Sequence, residues 1–389
     1  MSNLIGFEIK KFCNRRKNLM VIMIFLILSV IFITFNFTLE KQFEISGEKS
    51  IDLQIESLED SLSDVKSEII RLPENEKLKK INSNYEKQLN ILKDIKIAYA
   101  SNDFNKYLEG KIQLDKNLLK NIEDGDVISP ENPDEIKNDI DINTLLLEKG
   151  IAPIYSSVSI EGFNFIKLFL NNPISIILVI LIIVLSADAV SSEFDFDTYK
   201  LLFTQPISKI KILSSKILAT LIMINVIIFG IITICFFMLG FTRGFGSINY
   251  PTYFYNNNVI EYISIGKFIL FEIVLCLLLT TFICVLSVTI SSFSKSSSDS
   301  IAISIIIVVF AYMVSKKGFL GDISHLNPFI YIDLSSVLQG DLAKLYDNSN
   351  ISFKYGILTI ILSTVILLLI NIFLFQKNNL KVKRVITRK

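Results

Sequence analysis

The chain has 389 residues, 51% of them hydrophobic, with a mean hydropathy of +0.51, no Trp, and few Gly and Pro. The net charge of +1 hides an uneven spread: residues 40–163 hold 26 acidic and 16 basic side chains, a net −10, and the remainder is +11. One histidine (His325), four scattered cysteines and no G-x-x-x-x-G-K-[ST] run exclude a zinc hydrolase, a His-based triad and a P-loop in this chain. Basic residues sit beside apolar runs without interleaved aromatics, which argues against nucleic acid as a partner. The composition is that of a membrane protein carrying one polar domain, with no metal or cofactor of its own.

Residues 1–18 come first. On a helical wheel Ile5, Ile9, Phe12 and Cys13 share one side, with Lys10, Lys11 and Lys17 largely opposite. This is the pattern of a helix lying in the inner leaflet. Leu19–Leu39 then reads as an uncleaved transmembrane helix, too long for a signal-peptide core and followed by no small-residue cleavage site. Further apolar runs of spanning character lie at about Phe165–Val190, Ile212–Gly240, Gly266–Phe293, Ser300–Val314 and Phe353–Phe375. The fourth and fifth, separated by Ser294–Asp299, predict a tight helical hairpin. Six spans with both termini cytoplasmic follow from five basic residues before the first span and six after the last. The 40–163 segment is then extracellular and 164–389 is a five-span transmembrane domain.

Between the first two spans the period becomes heptad-like. Leu58, Leu62, Val65, Ile69 and Leu72 recur at spacings of 4 and 3, and Pro73 ends the run. Leu78 to Tyr99 continue it, and Ser101-Asn102-Asp103 breaks and caps before a third run through Phe104, Leu108, Ile112 and Leu118. Such narrow stripes must pair, so two or three antiparallel, coiled-coil-like helices are expected. Residues 123–143 are acidic, contain Pro130 and Pro133, and lack the ligand order of a calcium loop. They read as a solvated loop.

After the second span comes SADAVSSEFDFDTYKLLFTQPISKIKILSSK (Ser186–Lys216). Ser192 is placed to cap a helix over 191–205 with Glu193, Asp195 and Asp197 in its first turns. Phe194, Thr198, Leu201 and Leu202 give it an apolar side, and Gln205-Pro206 ends it. Glu193, Thr198, the Leu201-Leu202 pair, Pro206, Ser208, Lys209 and Lys216 together resemble the permease subunits of ABC-2 type exporters. The six spans, the interfacial first helix and Asn327-Pro328 before the last span fit the same family. Asp197 departs from it, standing where the family usually has Gly.

The resemblance implies an all-α membrane protein that is not itself an enzyme. Its partners would be a P-loop ATPase subunit, a second permease (identical or not) and membrane lipid, with ATP and Mg bound by the ATPase. Residues 191–205 would be the coupling helix. Glu193 and its acidic neighbours would meet basic residues of the ATPase, while Phe194, Leu201 and Leu202 fill its groove. The expected cargo is amphipathic: an antimicrobial peptide, a lipid-like compound or a drug, with sodium behind these. Two alternatives compete with it. One is a sensor or scaffold whose outer domain binds a peptide or envelope partner; the other is a permease that transmits force without cargo.

Glu272 in the fourth span reads either as part of an intramembrane path or permease interface, or as an outer-third residue reaching toward Lys267. Asp188, Lys167 and Lys216 are expected to snorkel from span ends. His325–Gly340 is apolar for a loop, and fits a re-entrant segment and a surface helix equally.

Overall fold

The computed structural model describes residues 1–124, 132–156, 158–171, 173–199, 206–256, 259–318 and 320–386. They form two compact units. One comprises Met1–Phe32, Glu161–Gly246 and Tyr253–Lys389, and the other Ile33–Ile160 with Ser247–Thr252.

The first unit starts with α1 (Ser2–Cys13) and the beginning of α2 (Arg16–Arg71). The expected single second span is divided. α6 (Gly162–Phe169) ends at Leu170, and α7 (Ile174–Ser186) starts afresh after Pro173, whose ring lacks the N–H that a continuous helix needs. The start of α6 is tied elsewhere: the Gly162 and Phe163 amides donate to the Gly244 and Phe245 carbonyls, each at 3.0 Å. Then follow α8 (Ser191–Asp195), α9 (Lys209–Arg243), a hairpin of β1 (Pro251–Asn256) and β2 (Val259–Ser264), and α10 (Ile265–Ser291). The hairpin is a small departure from the all-α expectation. α11 (Ser297–Ser315) begins six residues after α10 ends, with the Ser296 hydroxyl accepting from the Asp299 amide at 3.1 Å. The chain closes with 3-10 turns at Gly321–Leu326 and Pro328–Ile332, α12 (Leu334–Gln339), α13 (Asp341–Leu345) and α14 (Phe353–Ile386).

Six helices among the described residues are long and apolar enough to cross a membrane. They are not equivalent. The apolar window of the span ending at Asp195 is 72% buried and that of α10 is 56% buried, whereas those of α2, α11 and α14 are 22%. α7 and α10 are therefore the centre of the bundle, and the others turn apolar faces outward. Residues 328–345 also lie within this unit, packing on α7, α10, α11 and α14, with Tyr331, Leu334 and Val337 fully buried. A Cβ added at Gly356 in α14 would lie 2.9 Å from the Tyr331 ring, so glycine permits that close approach. Cys235, Cys276 and Cys284 are buried, and Cys13 is exposed rather than sharing the packed side of α1.

Among its described residues the second unit contains four helical segments rather than two or three. They are the outer part of α2, α3 (Glu76–Ala100), α4 (Phe104–Glu123) and α5 (Pro133–Lys149). α2 ends at Arg71, before Pro73. The Asn75 side chain caps α3 by accepting from the Lys77 amide at 3.1 Å, and Asp103 caps α4 by accepting from the Lys106 amide at 3.2 Å. α5 overturns the loop expected over 123–143. Asn132 accepts from the Asp134 amide at 3.1 Å, Pro133 takes the first turn, and Asp134 and Glu135 lie against the positive end of the helix dipole. The part of that acidic stretch at 125–131 lies outside the described residues.

Ile136 and Ile140 of α5 pack on Ile112 of α4. α3 and α4 close on one another through Ile91, Ile95, Ala98, Leu108 and Ile112. There a Cβ on Gly110 would lie 2.6 Å from Ile95 Cγ1. α2 is joined to α3 by charge: Lys96–Asp52 (2.6 Å), Lys93–Glu59 (2.7 Å) and Lys66–Glu86 (3.0 Å). All three pairs are solvent-exposed and hence screened by salt. The rings of Tyr99, Tyr107 and Tyr155 meet at 5.0–6.0 Å. Burial, reinforced by the neighbouring Tyr155 and Tyr99 hydroxyls, pushes the Tyr107 hydroxyl up to about 12.

Candidate functional site

The most polar interior of the first unit is where α1, the start of α2, the end of α7, α8 and the start of α9 meet. Glu193 is its centre. It was expected to face basic groups of a partner, but it is 4% exposed and taken up within the chain. It pairs with Lys11 of α1, lies 2.6 Å from Lys216 Nζ of α9, and accepts from the Thr198 hydroxyl. Lys216 does not snorkel. It is 1% exposed and also reaches Glu8 of α1 at 2.8 Å. Beside this network Asp188 binds Arg15 at 2.8 Å and Lys17 at 2.7 Å, and Arg15 donates to the Ser192 hydroxyl at 2.7 Å. Ser192 is therefore not a helix cap; α8 begins one residue earlier, at Ser191.

Charges this deeply buried persist only when paired, because removing one partner strands the other away from water. The amphipathic pattern of α1 follows from the same geometry. Phe12 is buried where α1 packs along α9, and Lys11 and Glu8 point to the ion-pair network.

The other side of α8 is held by hydroxyls. Ser291, at the end of α10, accepts from the Ser191 amide at 2.9 Å and the Val190 amide at 3.2 Å. Ser300 of α11 donates to the Ala187 carbonyl, and Asp195 accepts from the Ser297 amide at 2.7 Å. α8 is thus gripped by α1 and α9 on one side and by the α10–α11 turn on the other.

Past this anchored turn the chain emerges. Phe196 is 73% exposed, and Asp195 and Asp197 are exposed beside it. Asp197 adopts a φ of 54°, the left-handed region that favours glycine. Phe194 does not stand free but stacks on Tyr199 at 5.1 Å. α8 ends at Asp195 and the chain is helical again at Tyr199; the remainder of the expected 191–205 helix lies outside the described residues. Leu201 and Leu202 lie outside the described residues, and Pro206 is exposed just after them.

Glu272 belongs elsewhere. It is fully buried in α10, and its Oε1 accepts from the Ser335 hydroxyl of α12. It does not reach Lys267 and does not lie on the surface of the chain. Lys167 of α6 interacts electrostatically with it and lies 5.5 Å from the Phe268 ring. The residues that sequence reasoning missed are Lys11, Arg15, Ser291 and Phe196. Arg15 was visible only as a topology signal, and Lys11 as that and as part of the polar side of the first helix.

A bundle of six long apolar helices built around a polar junction is a multi-pass membrane protein of the helical class. The sequence matches the ABC-2 family transporter protein across residues 8–380, and the chain belongs to that family. It is thus a permease, a membrane subunit of a kind that generally works with a separate ATPase and is not itself catalytic. A search among curated proteins returns no match.

Proposed function

We propose that the chain is the permease half of an ATP-driven exporter, paired with a second permease and powered by two copies of a separate P-loop ATPase that bind ATP and Mg. The termini and the α8 junction face the bacterial cytoplasm, and the second unit faces outward. The segment following α8, with Phe196, Asp197 and the Leu201-Leu202 pair, seats in the ATPase groove. The cargo is amphipathic, of the antimicrobial-peptide, lipid-like or drug type.

The observation that carries this reading is the double grip on α8. An exposed aromatic and two carboxylates project from a turn that is bonded to the ends of four other helices. A push on that tip acts on α1, α9, α10 and α11 together, through ion pairs and hydroxyl contacts that leave little slack. A helix resting passively on lipid has no use for such anchoring, nor for carboxylates beside anionic headgroups.

The test is affinity purification of the tagged chain in mild detergent, with Phe196→Asp and Leu202→Asp beside the parent. The parent is expected to retain a stoichiometric ATPase. Each variant is expected to insert normally and to lose at least tenfold of the partner or of its transport-coupled ATP hydrolysis. Undiminished coupling in both variants sinks the assignment of this segment.

A further inference from the structure

The seam between α3 and α4 changes character along its length. At one end it is a dry apolar contact, with Gly110 drawn against Ile95 and Leu108 fully buried. At the other end it opens into two adjoining clefts of about 450 and 200 Å³. Their floor is made of amides: Asn84 and Gln88 on α3 face Asn117 and Asn121 on α4, each pair spaced i, i+4 so that both members share one helix face.

Each amide stands one position before a member of the apolar stripe (Tyr85, Leu89, Leu118 and Ile122), so the four flank the seam rather than fill it. All four amides are half-buried, and none hydrogen-bonds to another described residue. Lys80, Lys87 and Lys120 stand exposed around the rim, with Asp124 the carboxylate among the described lining residues; Lys80 is itself engaged in a further contact. Those three rim lysines and one described carboxylate lie within a segment of net −10. The cleft is thus a basic island on an acidic domain. Tyr85 and Ile81 add an apolar wall to the larger cleft.

We infer that this cleft binds an anionic, hydroxyl-rich chain, a saccharide or polyol bearing phosphate or carboxylate groups. Each element answers one part of that chemistry. A primary amide offers both donor and acceptor, matching a hydroxyl that is itself both. Ammonium groups at the rim pair with spaced anions as point charges. The tyrosine ring offers a flat face to a sugar or polyol backbone. A purely anionic ligand would not need the amides, and a neutral sugar would not need the lysines.

The inference rests on the outward placement of this domain only for where such a polymer is met, in the cell envelope. Binding is measured on the full chain in nanodiscs, where both faces are accessible, with labelled poly(glycerol phosphate) as the probe. Polyphosphate supplies charge without hydroxyls, and uncharged polyglycerol supplies hydroxyls without charge. Saturable binding of poly(glycerol phosphate) is expected, with both controls weaker by at least tenfold.

Lys80→Glu/Lys87→Glu/Lys120→Glu should weaken binding at least tenfold. Lys79→Glu/Lys106→Glu/Lys116→Glu, an equal charge change outside the cleft, should alter it less than twofold. Asn84→Ala/Asn117→Ala should weaken the polyol phosphate but not polyphosphate. Absent binding, equal affinity for polyphosphate, or equal loss in the two lysine triples overturns the proposal. Labelling of Lys79→Cys in intact cells by a membrane-impermeant maleimide reads the domain's side independently. Refusal of the label overturns the envelope source and the outward reading, whatever the nanodiscs show.

Discussion

Asp197 holds a backbone angle that costs an ordinary L-residue roughly 1–2 kcal/mol. Asp tolerates it better than most, because its short side chain can bond locally, and glycine tolerates it best. Asp197→Gly should therefore leave thermal stability within about 1 kcal/mol of the parent, while the β-branched Asp197→Val should lower it by about 1–2 kcal/mol. Thermal melts in detergent decide between them. Lys216 is the more demanding position. Lys216→Met takes the partner from Glu8 and leaves Glu193 only Lys11 and Thr198, and should cost up to about 3–5 kcal/mol, the cost of a fully stranded charge. Adding Glu193→Gln should restore part of that loss, and the difference from additivity measures the pair. Strictly additive losses would show that the two groups do not interact.

Among elements, the α3–α4 pair depends on Gly110. Gly110→Leu forces a branched side chain into the Ile95 contact and should cost about 1–3 kcal/mol, read as an earlier melting transition of the second unit. The Tyr107 hydroxyl gives that unit a pH signature. Its folded pKa of about 12 exceeds the ordinary value of 10, so its stabilising effect is complete below pH 10 and is lost as the pH rises toward 12. Tyr107→Phe should remove that alkaline loss in melts taken across this range. The helices were legible where stops and caps stood in the sequence, at Pro73 and at Ser101-Asn102-Asp103. α5 was not, because its acidic first turn masked an Asn132-Pro133 start of the ordinary capping kind. The break between α6 and α7 was missed because Phe165–Val190 is apolar on average, and averaged hydropathy does not record the Asn171-Asn172-Pro173 stop within it or that Pro173 lacks an N–H.

At the scale of the whole chain, composition and run length marked all six apolar helices, since a bilayer-facing surface must be apolar whatever the fold. Outward-facing Val226, Phe241, Phe310, Leu362 and Phe373 are the side chains such a solvent requires. The polar junction could not be read the same way. Lys11 and Glu193 are 182 residues apart, and nothing local to either announces the other. Lys216 looked like a span-end lysine because hydropathy carries no information on what a charge meets in three dimensions. The same applies to Glu272 and Ser335, 63 residues apart. Glu272→Leu should leave the Ser335 hydroxyl without its acceptor and cost about 1–3 kcal/mol, whereas Glu272→Gln keeps an acceptor and should cost less.

The distribution of thiols has a practical consequence. Of the four cysteines only Cys13 is exposed, and it closes α1 two residues before Arg15, which binds Asp188 and Ser192. A spin label or fluorophore added to the unaltered protein should therefore attach once per chain, detectable as a single mass increment. Its signal would follow the junction through a turnover cycle without any engineered residue.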